Sequence, residues 1–330
     1  MRVLVTGGAG YIGSHAVKVL RQSGHEPIVV DNLYRGHREA VPADVPFYHA
    51  DLADGPMLRQ ILSRHDIECV MHFAALAYVG ESVMEPLKYY ANNTAGAISL
   101  LDAMRETGIR RLVFSSTCAT YGEPERVPIM ETLPQAPINP YGRSKYFVER
   151  ILADEAGADD RFAYAALRYF NVAGAAADGT LGEDHEPETH LIPSVLLTIL
   201  GRREKITVFG TDYPTPDGTC IRDYIHVEDL CDAHVAAMAA LQPGDRRVYN
   251  LGIGKGYSVR EVINSAQRVT GRSVKVEYGA RRPGDPAVLY ADASKIRAEL
   301  GWEPRYREID DIVATAWNWF SRHPRGYASG

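Results

Sequence analysis

The sequence predicts an α/β fold: a doubly wound parallel sheet followed by a smaller C-terminal α/β substrate-binding lobe. Three observations carry this expectation. Short apolar runs alternate with helical periodicity up to about residue 170, a glycine-rich turn joins the first run to the first helix, and beyond 170 the rhythm breaks into long polar loops. Strands alternating with helices imply parallel pairing, because a parallel connection needs a crossover long enough to bring the chain back.

The elements follow in order. Residues 2–5 form an apolar strand, 11–22 a helix ending at Gly24, and 27–30 a second strand closed by Asp31. A strand at 47–48 leads to Asp51, a helix covers 56–64, and a strand covers 69–73. One long helix is expected over 85–107, stopped by Gly108, then a strand at 111–114, a helix at 140–154 and a strand at 162–168. Residues 171–189 are polar and rich in small side chains and read as a loop. Helix 191–202, strand 205–209, an irregular stretch 210–220, helix 227–241, strand 248–252, helix 258–270, strand 274–278, loop 279–287 and helices 292–300 and 308–323 complete the chain. The expected division is a cofactor domain at 1–170, completed by part of 224–252, and a substrate lobe made mainly of 171–330.

Bulk properties narrow the function. The 330 residues are 45% hydrophobic, and the net charge of −6 with no long basic run argues against nucleic acid or an anionic membrane as the main partner. The four cysteines (Cys69, Cys118, Cys220, Cys231) are scattered, without a C-x-x-C spacing, so neither a disulfide framework nor a metal is expected. No apolar run approaches a membrane span, and MRVLVTGG reads as a strand entering a turn, so a cytoplasmic protein is expected.

Gly7, Gly10 and Gly13 lie in VLVTGGAGYIG, between a strand and a helix. Small residues there let the backbone approach a pyrophosphate, and the helix N-terminus offers it free N–H groups and a positive dipole end. Asp31 closes the second strand 18 residues after Gly13, where a carboxylate accepts from an adenosine ribose and repels a 2′-phosphate. The turn and the acid together predict a Rossmann-type domain that binds NAD rather than NADP. Asp51, followed by Leu52, ends the next strand and is a candidate adenine contact.

Tyr141 and Lys145, in NPYGRSK, are the second signal. With 19 tyrosines and 7 lysines, about 0.4 such i, i+4 pairs are expected by chance in this chain, so the pair alone proves little. Asn139 is a good N-cap and Pro140 suits the first helical position, which places both side chains on one helical face. A neighbouring ammonium or nicotinamide cation favours the phenolate, which would make Tyr141 a base. One strand earlier, Ser115, Ser116 and Thr117 stand at a strand C-terminus, where ligands bind in open α/β sheets.

In this order the glycine turn, the hydroxyl triplet and Y-x-x-x-K resemble the extended short-chain dehydrogenase/reductases. HFAALAYVGES (72–82), YYANN (89–93), LRYFNVAG (167–174), TDYPTPDGTCIRDYIHVEDL (211–230) and RRPGDP (281–286) narrow the resemblance to the UDP-glucose 4-epimerases, over nearly the whole chain. The resemblance implies a tightly held NAD, a UDP-sugar substrate and a homodimer. It implies Tyr141 as base, Thr117 as hydroxyl partner and Lys145 as positioning cation. For the cofactor it adds Tyr11, Ile12, Asn32, Phe73, Ala74, Asn92, Ser115 and Tyr169. For UDP and sugar it implies Asn171, His190, Leu191, Thr207, Phe209, Arg222, Arg282, Asp285 and Leu289. Fixed guanidiniums suit a diphosphate and a carboxylate suits ribose hydroxyls, while Tyr224 either encloses substrate or fills the core.

This chain departs from the family at three places. Ala77 stands where many members carry lysine, His190 where asparagine is common, and Leu289 where others have tyrosine or cysteine at the position limiting sugar size. N-acetylated hexoses therefore stay open as substrates, and HFAALAYVGES with STCATYGEP also resembles UDP-arabinose 4-epimerases, which act on pentoses. A 4,6-dehydratase is disfavoured because Cys118 and Ala119 follow Thr117 where that chemistry uses carboxylates. A non-catalytic NAD sensor on the same fold would have no use for Tyr141, Lys145 and Thr117.

Overall fold

The computed structural model describes residues 1–282 and 285–327. Its strands are β1 (Arg2–Thr6), β2 (Glu26–Asp31), β3 (Phe47–His49), β4 (Cys69–His72), β5 (Arg111–Thr117), β6 (Ala163–Tyr169), β7 (Asn171–Ala173), β8 (Ile206–Phe209), β9 (Ile221–His226), β10 (Arg246–Leu251), β11 (Gly256–Ser258), β12 (Val276–Gly279) and β13 (Val288–Leu289). The helices are α1 (Tyr11–Gln22), α2 (Gly55–Arg64), α3 (Val79–Met84), α4 (Pro86–Tyr89), α5 (Gly96–Thr107), α6 (Pro140–Ala158), α7 (Leu191–Ile199), α8 (Val227–Ala240), α9 (Val259–Thr270), α10 (Ser294–Leu300) and α11 (Ile309–Arg322).

Seven strands form one parallel sheet in the order β10-β6-β5-β4-β1-β2-β3. The strand order reverses between β1 and β4, and the crevice outside the strand ends at such a point is where an open α/β sheet binds ligands. β1 is apolar without alternation because both faces are covered. Val3 and Val5 pack with Val17 and Leu20 of α1 and with Leu230 and Ala237 of α8. Leu4 points the other way, onto Leu58 and Ile61 of α2, Leu100 of α5 and Leu152 of α6. Each such side chain contributes about 1.5–3 kcal/mol by leaving water. The second lobe has its own core, where Val195, Leu196, Val262, Ile312 and Trp319 join α7, α9 and α11.

Residues 171–173, expected as loop, form β7, and two further expectations fail for physical reasons. The single helix over 85–107 is broken: Pro86 opens α4, a π-helical turn covers Tyr90–Ala95, and α5 follows. Asn93 stabilises that turn. Its Oδ1 accepts from the Leu76 amide at 2.8 Å, and its Nδ2 donates to the Leu76 carbonyl and to Ser144 Oγ, each at 3.0 Å. A π turn re-aims side chains, and here it sends Asn92 to the cavity described below while Asn93 turns inward. The other miss is β9, whose IRDYIH mixes charge with apolar residues and hides the strand. Asp223 is tolerated there because it accepts three backbone N–H groups, from Ile253, Gly254 and Ala291, at 2.9, 3.2 and 3.0 Å. β9 is the hub of the small sheet, pairing with β7, β11 and β13.

Candidate active site

A cavity of about 1240 Å³ opens at the C-terminal edge of the main sheet and is closed on its far side by the second lobe. Its first wall is the β1–α1 turn. Gly7 has φ +71°, and a Cβ there would meet the Ala74 amide nitrogen at 2.6 Å. At Gly13 a Cβ would sit 2.0 Å from the Gly7 carbonyl oxygen, so only glycine allows the turn to fold this tightly. Gly10 is the N-cap of α1 and supplies no side-chain cap, leaving the first-turn amides of Tyr11, Ile12 and Gly13 on the cavity wall.

Asp31 is buried at the end of β2. Its two oxygens accept from the Ala9 amide at 2.9 Å and the Leu33 amide at 2.7 Å, so the acid also shapes the loops around it. Asn32 Nδ2 donates to Asp51 Oδ2 at 2.8 Å and thereby joins the ends of β2 and β3. Leu52, Phe73, Ala74 and Asn92 continue this wall.

The centre of the cavity is built by β5 and α6. Asn139 Oδ1 caps α6 by accepting from the Gly142 amide at 2.8 Å, with Pro140 in the first turn. Tyr141 packs against Leu76 and Tyr89. Burial pushes its phenol up to about 12, and a hydrogen bond with Thr117 acts in the opposite direction. Burial holds the Lys145 ammonium down to about 7, opposed by the carboxylate of Glu149. Lys145 Nζ donates to the Ser115 carbonyl at 2.9 Å and lies 4.9 Å from the centre of the Phe114 ring. The sequence reading had this ammonium lowering the phenol. In the chain itself it is turned to a carbonyl, and burial dominates at both groups. Ser115 Oγ and the Tyr169 hydroxyl hydrogen-bond each other across β5 and β6.

On the far wall Arg222 pairs with Asp285 from the second lobe, and Arg282 lies 4.2 Å over the Phe209 ring. Asn171, His190 and Leu289 also line the cavity, as does Ala77. Three expected residues are not among those lining the cavity. Leu191 begins α7 and packs on the second-lobe core, Thr207 lies on β8 opposite Glu277, and the Phe209 ring lies under the Arg282 guanidinium. Tyr224 fills the core of the second lobe. Of RRPGDP, Pro283 and Gly284 lie outside the described residues.

This geometry matches known proteins over the whole chain. The family model described as "NAD dependent epimerase/dehydratase family" matches residues 3–252. The chain belongs to that family. It is 51% identical to a UDP-glucose 4-epimerase of Lactobacillus helveticus, with 99% of each chain covered. It is 46% identical to a probable UDP-arabinose 4-epimerase of Oryza sativa subsp. japonica, covering 99% of this chain and 84% of that one. A solved UDP-glucose 4-epimerase from Bifidobacterium longum, in complex with NAD+ and UDP, superposes with a TM-score of 0.95 at 41% identity, over 99% of this chain and 100% of that one.

NAD is the cofactor of this epimerase/dehydratase, and the residues present fit it: uncapped α1 amides for the pyrophosphate and a buried acid for the adenosine ribose. Behind the centre lies a polar network that the sequence reading missed. Glu149, one turn after Lys145, accepts from Ser116 Oγ at 2.5 Å and from Arg168 Nη2 at 2.5 Å, and Arg168 Nη1 reaches the Tyr121 hydroxyl at 2.8 Å. Only its i, i+4 spacing from Lys145 hinted at it. Phe170 and Tyr78, also on the cavity wall, were missed because nothing local marks them.

Proposed function

We propose that this chain interconverts UDP-glucose and UDP-galactose by inverting C4 of the sugar. One observation carries the reading: Tyr141, Lys145 and Thr117 meet in a single cavity between the uncapped end of α1 and the Arg222–Asp285 wall. The hexose epimerase names of full-length relatives, at 50–51% identity, support it.

A bound NAD would supply hydride-acceptor and hydride-donor chemistry at C4. Tyr141 removes the 4-hydroxyl proton as the alcohol is oxidised and gives a proton back as the ketone is reduced. Thr117 holds the reacting oxygen beside the phenol. Lys145, held by the Ser115 carbonyl, would hold the nicotinamide ribose of a bound NAD. Arg222 and Arg282 neutralise the diphosphate, and Asp285 accepts from the uridine ribose. The 4-keto sugar must turn over before reduction, so strong binding belongs at the nucleotide and loose contact at the sugar. Apolar Leu289 and small Ala77 beside the charged nucleotide wall agree with that division.

We further infer a homodimer in the cytoplasm. Leu87 is 80% exposed, Ile98 44% and Phe147 43%, an apolar group on α4, α5 and α6 in which the Tyr90 ring tilts against Phe147 at 5.9 Å, and a second copy would cover it. Four free cysteines suit a reducing compartment.

The test is one assay panel without added cofactor: UDP-galactose, UDP-N-acetylgalactosamine and UDP-xylose with the same preparation. Conversion of UDP-galactose is expected. Conversion of UDP-xylose alone would replace the hexose with a pentose, and bound NAD without any conversion would favour a sensor.

A further inference from the structure

We propose that Glu183, His185, Glu188 and His190 form a binding site for one divalent transition-metal cation of the zinc type. The four residues lie in a single strap before α7, spaced E-x-H-x-x-E-x-H, and one ligand atom of each falls within 4.8 Å of all the others.

The four histidine–carboxylate spacings bracket that of a tetrahedral ion. His190 Nδ1 lies 2.7 Å from Glu183 Oε1 and 3.1 Å from Glu188 Oε1. His185 Nδ1 lies 3.1 Å from Glu183 Oε1 and 3.7 Å from Glu188 Oε2. Zinc bonds of about 2.0–2.1 Å in a tetrahedron hold ligand atoms about 3.3 Å apart, in the middle of this range. Two imidazole nitrogens with two carboxylates suit zinc and its neighbours, whereas calcium and magnesium take oxygen.

Charge points the same way. The carboxylates of Glu183 and Glu188 are almost wholly buried, with side-chain exposures of 4% and 6%. Among the described residues their ion-pair partners are the two histidines and no lysine or arginine. Two buried anions facing one point need two positive charges there. One dication with two neutral imidazoles supplies them; a proton on each imidazole is the competing occupant.

The strap's backbone is also braced from outside. Trp319 Nε1 donates to the Glu183 carbonyl at 3.2 Å and the Tyr78 hydroxyl to the Pro187 carbonyl at 3.0 Å, while Arg203 donates to the Glu188 carbonyl. Tyr11 and Tyr78 set their rings edge-on to His185 at 6.3 and 6.1 Å. With four protein ligands the site is closed, so the ion is structural. It would fix the part of the cavity wall made by Glu183, His185 and His190. None of this depends on which UDP-sugar is turned over.

The test uses the full-length holoenzyme, treated with a chelator, reloaded with zinc and desalted. Metal per chain is counted by mass spectrometry, and cobalt(II) replaces zinc for visible spectroscopy. One zinc per chain and the strong bands of four-coordinate cobalt are expected. His185→Ala should weaken zinc binding by more than about 100-fold and abolish the bands. Glu188→Gln, which keeps size and shape, should do the same and serves if the first variant misfolds. Failure to retain metal would mean that the histidines are simply protonated, and the proposal falls. Equal zinc and an unchanged cobalt spectrum in the variants would place the metal elsewhere and overturn it as well.

Discussion

Replacing Tyr141 with phenylalanine separates the phenol's chemistry from its packing. The ring lies against Leu76 and Tyr89, and phenylalanine keeps both contacts. What disappears is the hydroxyl and its bond with Thr117, about 0.5–1.5 kcal/mol of stability, so Tm should fall by less than about 3 °C. The loss in rate is far larger. Burial pushes the phenol up to about 12. At pH 8 that leaves it about four decades from its basic form, roughly 5 kcal/mol that neighbouring positive charge must offset for catalysis. A positioned acid–base group typically contributes about 10²–10⁴ in rate, or roughly 3–5 kcal/mol. The Tyr141→Phe enzyme should therefore convert UDP-galactose at least about 100-fold more slowly. The assay is chromatographic separation of the two UDP-hexoses, with bound NAD measured on the same sample. A variant that holds its NAD and works within tenfold of the parent rate would refute the assignment of Tyr141 as the base.

Four further outcomes are expected. Lys145→Met should abolish conversion yet alter the pH dependence of folding in NAD-free protein. Burial holds Lys145 at about 7 against an ordinary 10.5, so between these values the unfolded chain carries a proton that the folded chain lacks, and parent stability rises with pH. Urea melts at pH 7.5 and 9.5 should show that rise in the parent and a smaller one in the variant. Gly13→Ala forces a Cβ to 2.0 Å from the Gly7 carbonyl, and should lose bound NAD and more than about 2 kcal/mol of stability, read by absorbance and urea melts. Arg168→Met strands the buried Glu149 carboxylate and should cost about 3–5 kcal/mol in the same melts. Arg222→Leu should raise KM for UDP-galactose by at least about tenfold with a smaller change in kcat, because a nucleotide contact acts alike on ground and transition states.

What was legible in the sequence was what is encoded locally. The glycine turn, Asp31 and the Asn139-Pro140 start of α6 are fixed by backbone geometry within a few residues, and the structure gathers them in one cavity. Tyr141 and Lys145 were readable from spacing, but the direction of Lys145 was not, since its partner is a carbonyl 30 residues earlier. β9 escaped because the amides that satisfy Asp223 come from 30, 31 and 68 residues downstream. Thr207, Phe209 and Leu191 were placed by resemblance alone, and whether they line the cavity depends on how the second lobe packs. The strap at 183–190 looked like polar loop because a one-dimensional pattern does not show four side chains converging on a point.

The start of α1 carries one more consequence. A helix that begins on glycine, with no side chain to receive its first amides, is unfinished as secondary structure. The pyrophosphate of a bound NAD would do for α1 what Asn139 does for α6, which would make the cofactor a piece of the fold as well. Whatever binds the native chain and not the unfolded one raises its stability with the logarithm of ligand concentration over Kd. Heat resistance in this protein should therefore report how firmly the dinucleotide is held, and a preparation that has shed it should melt earlier.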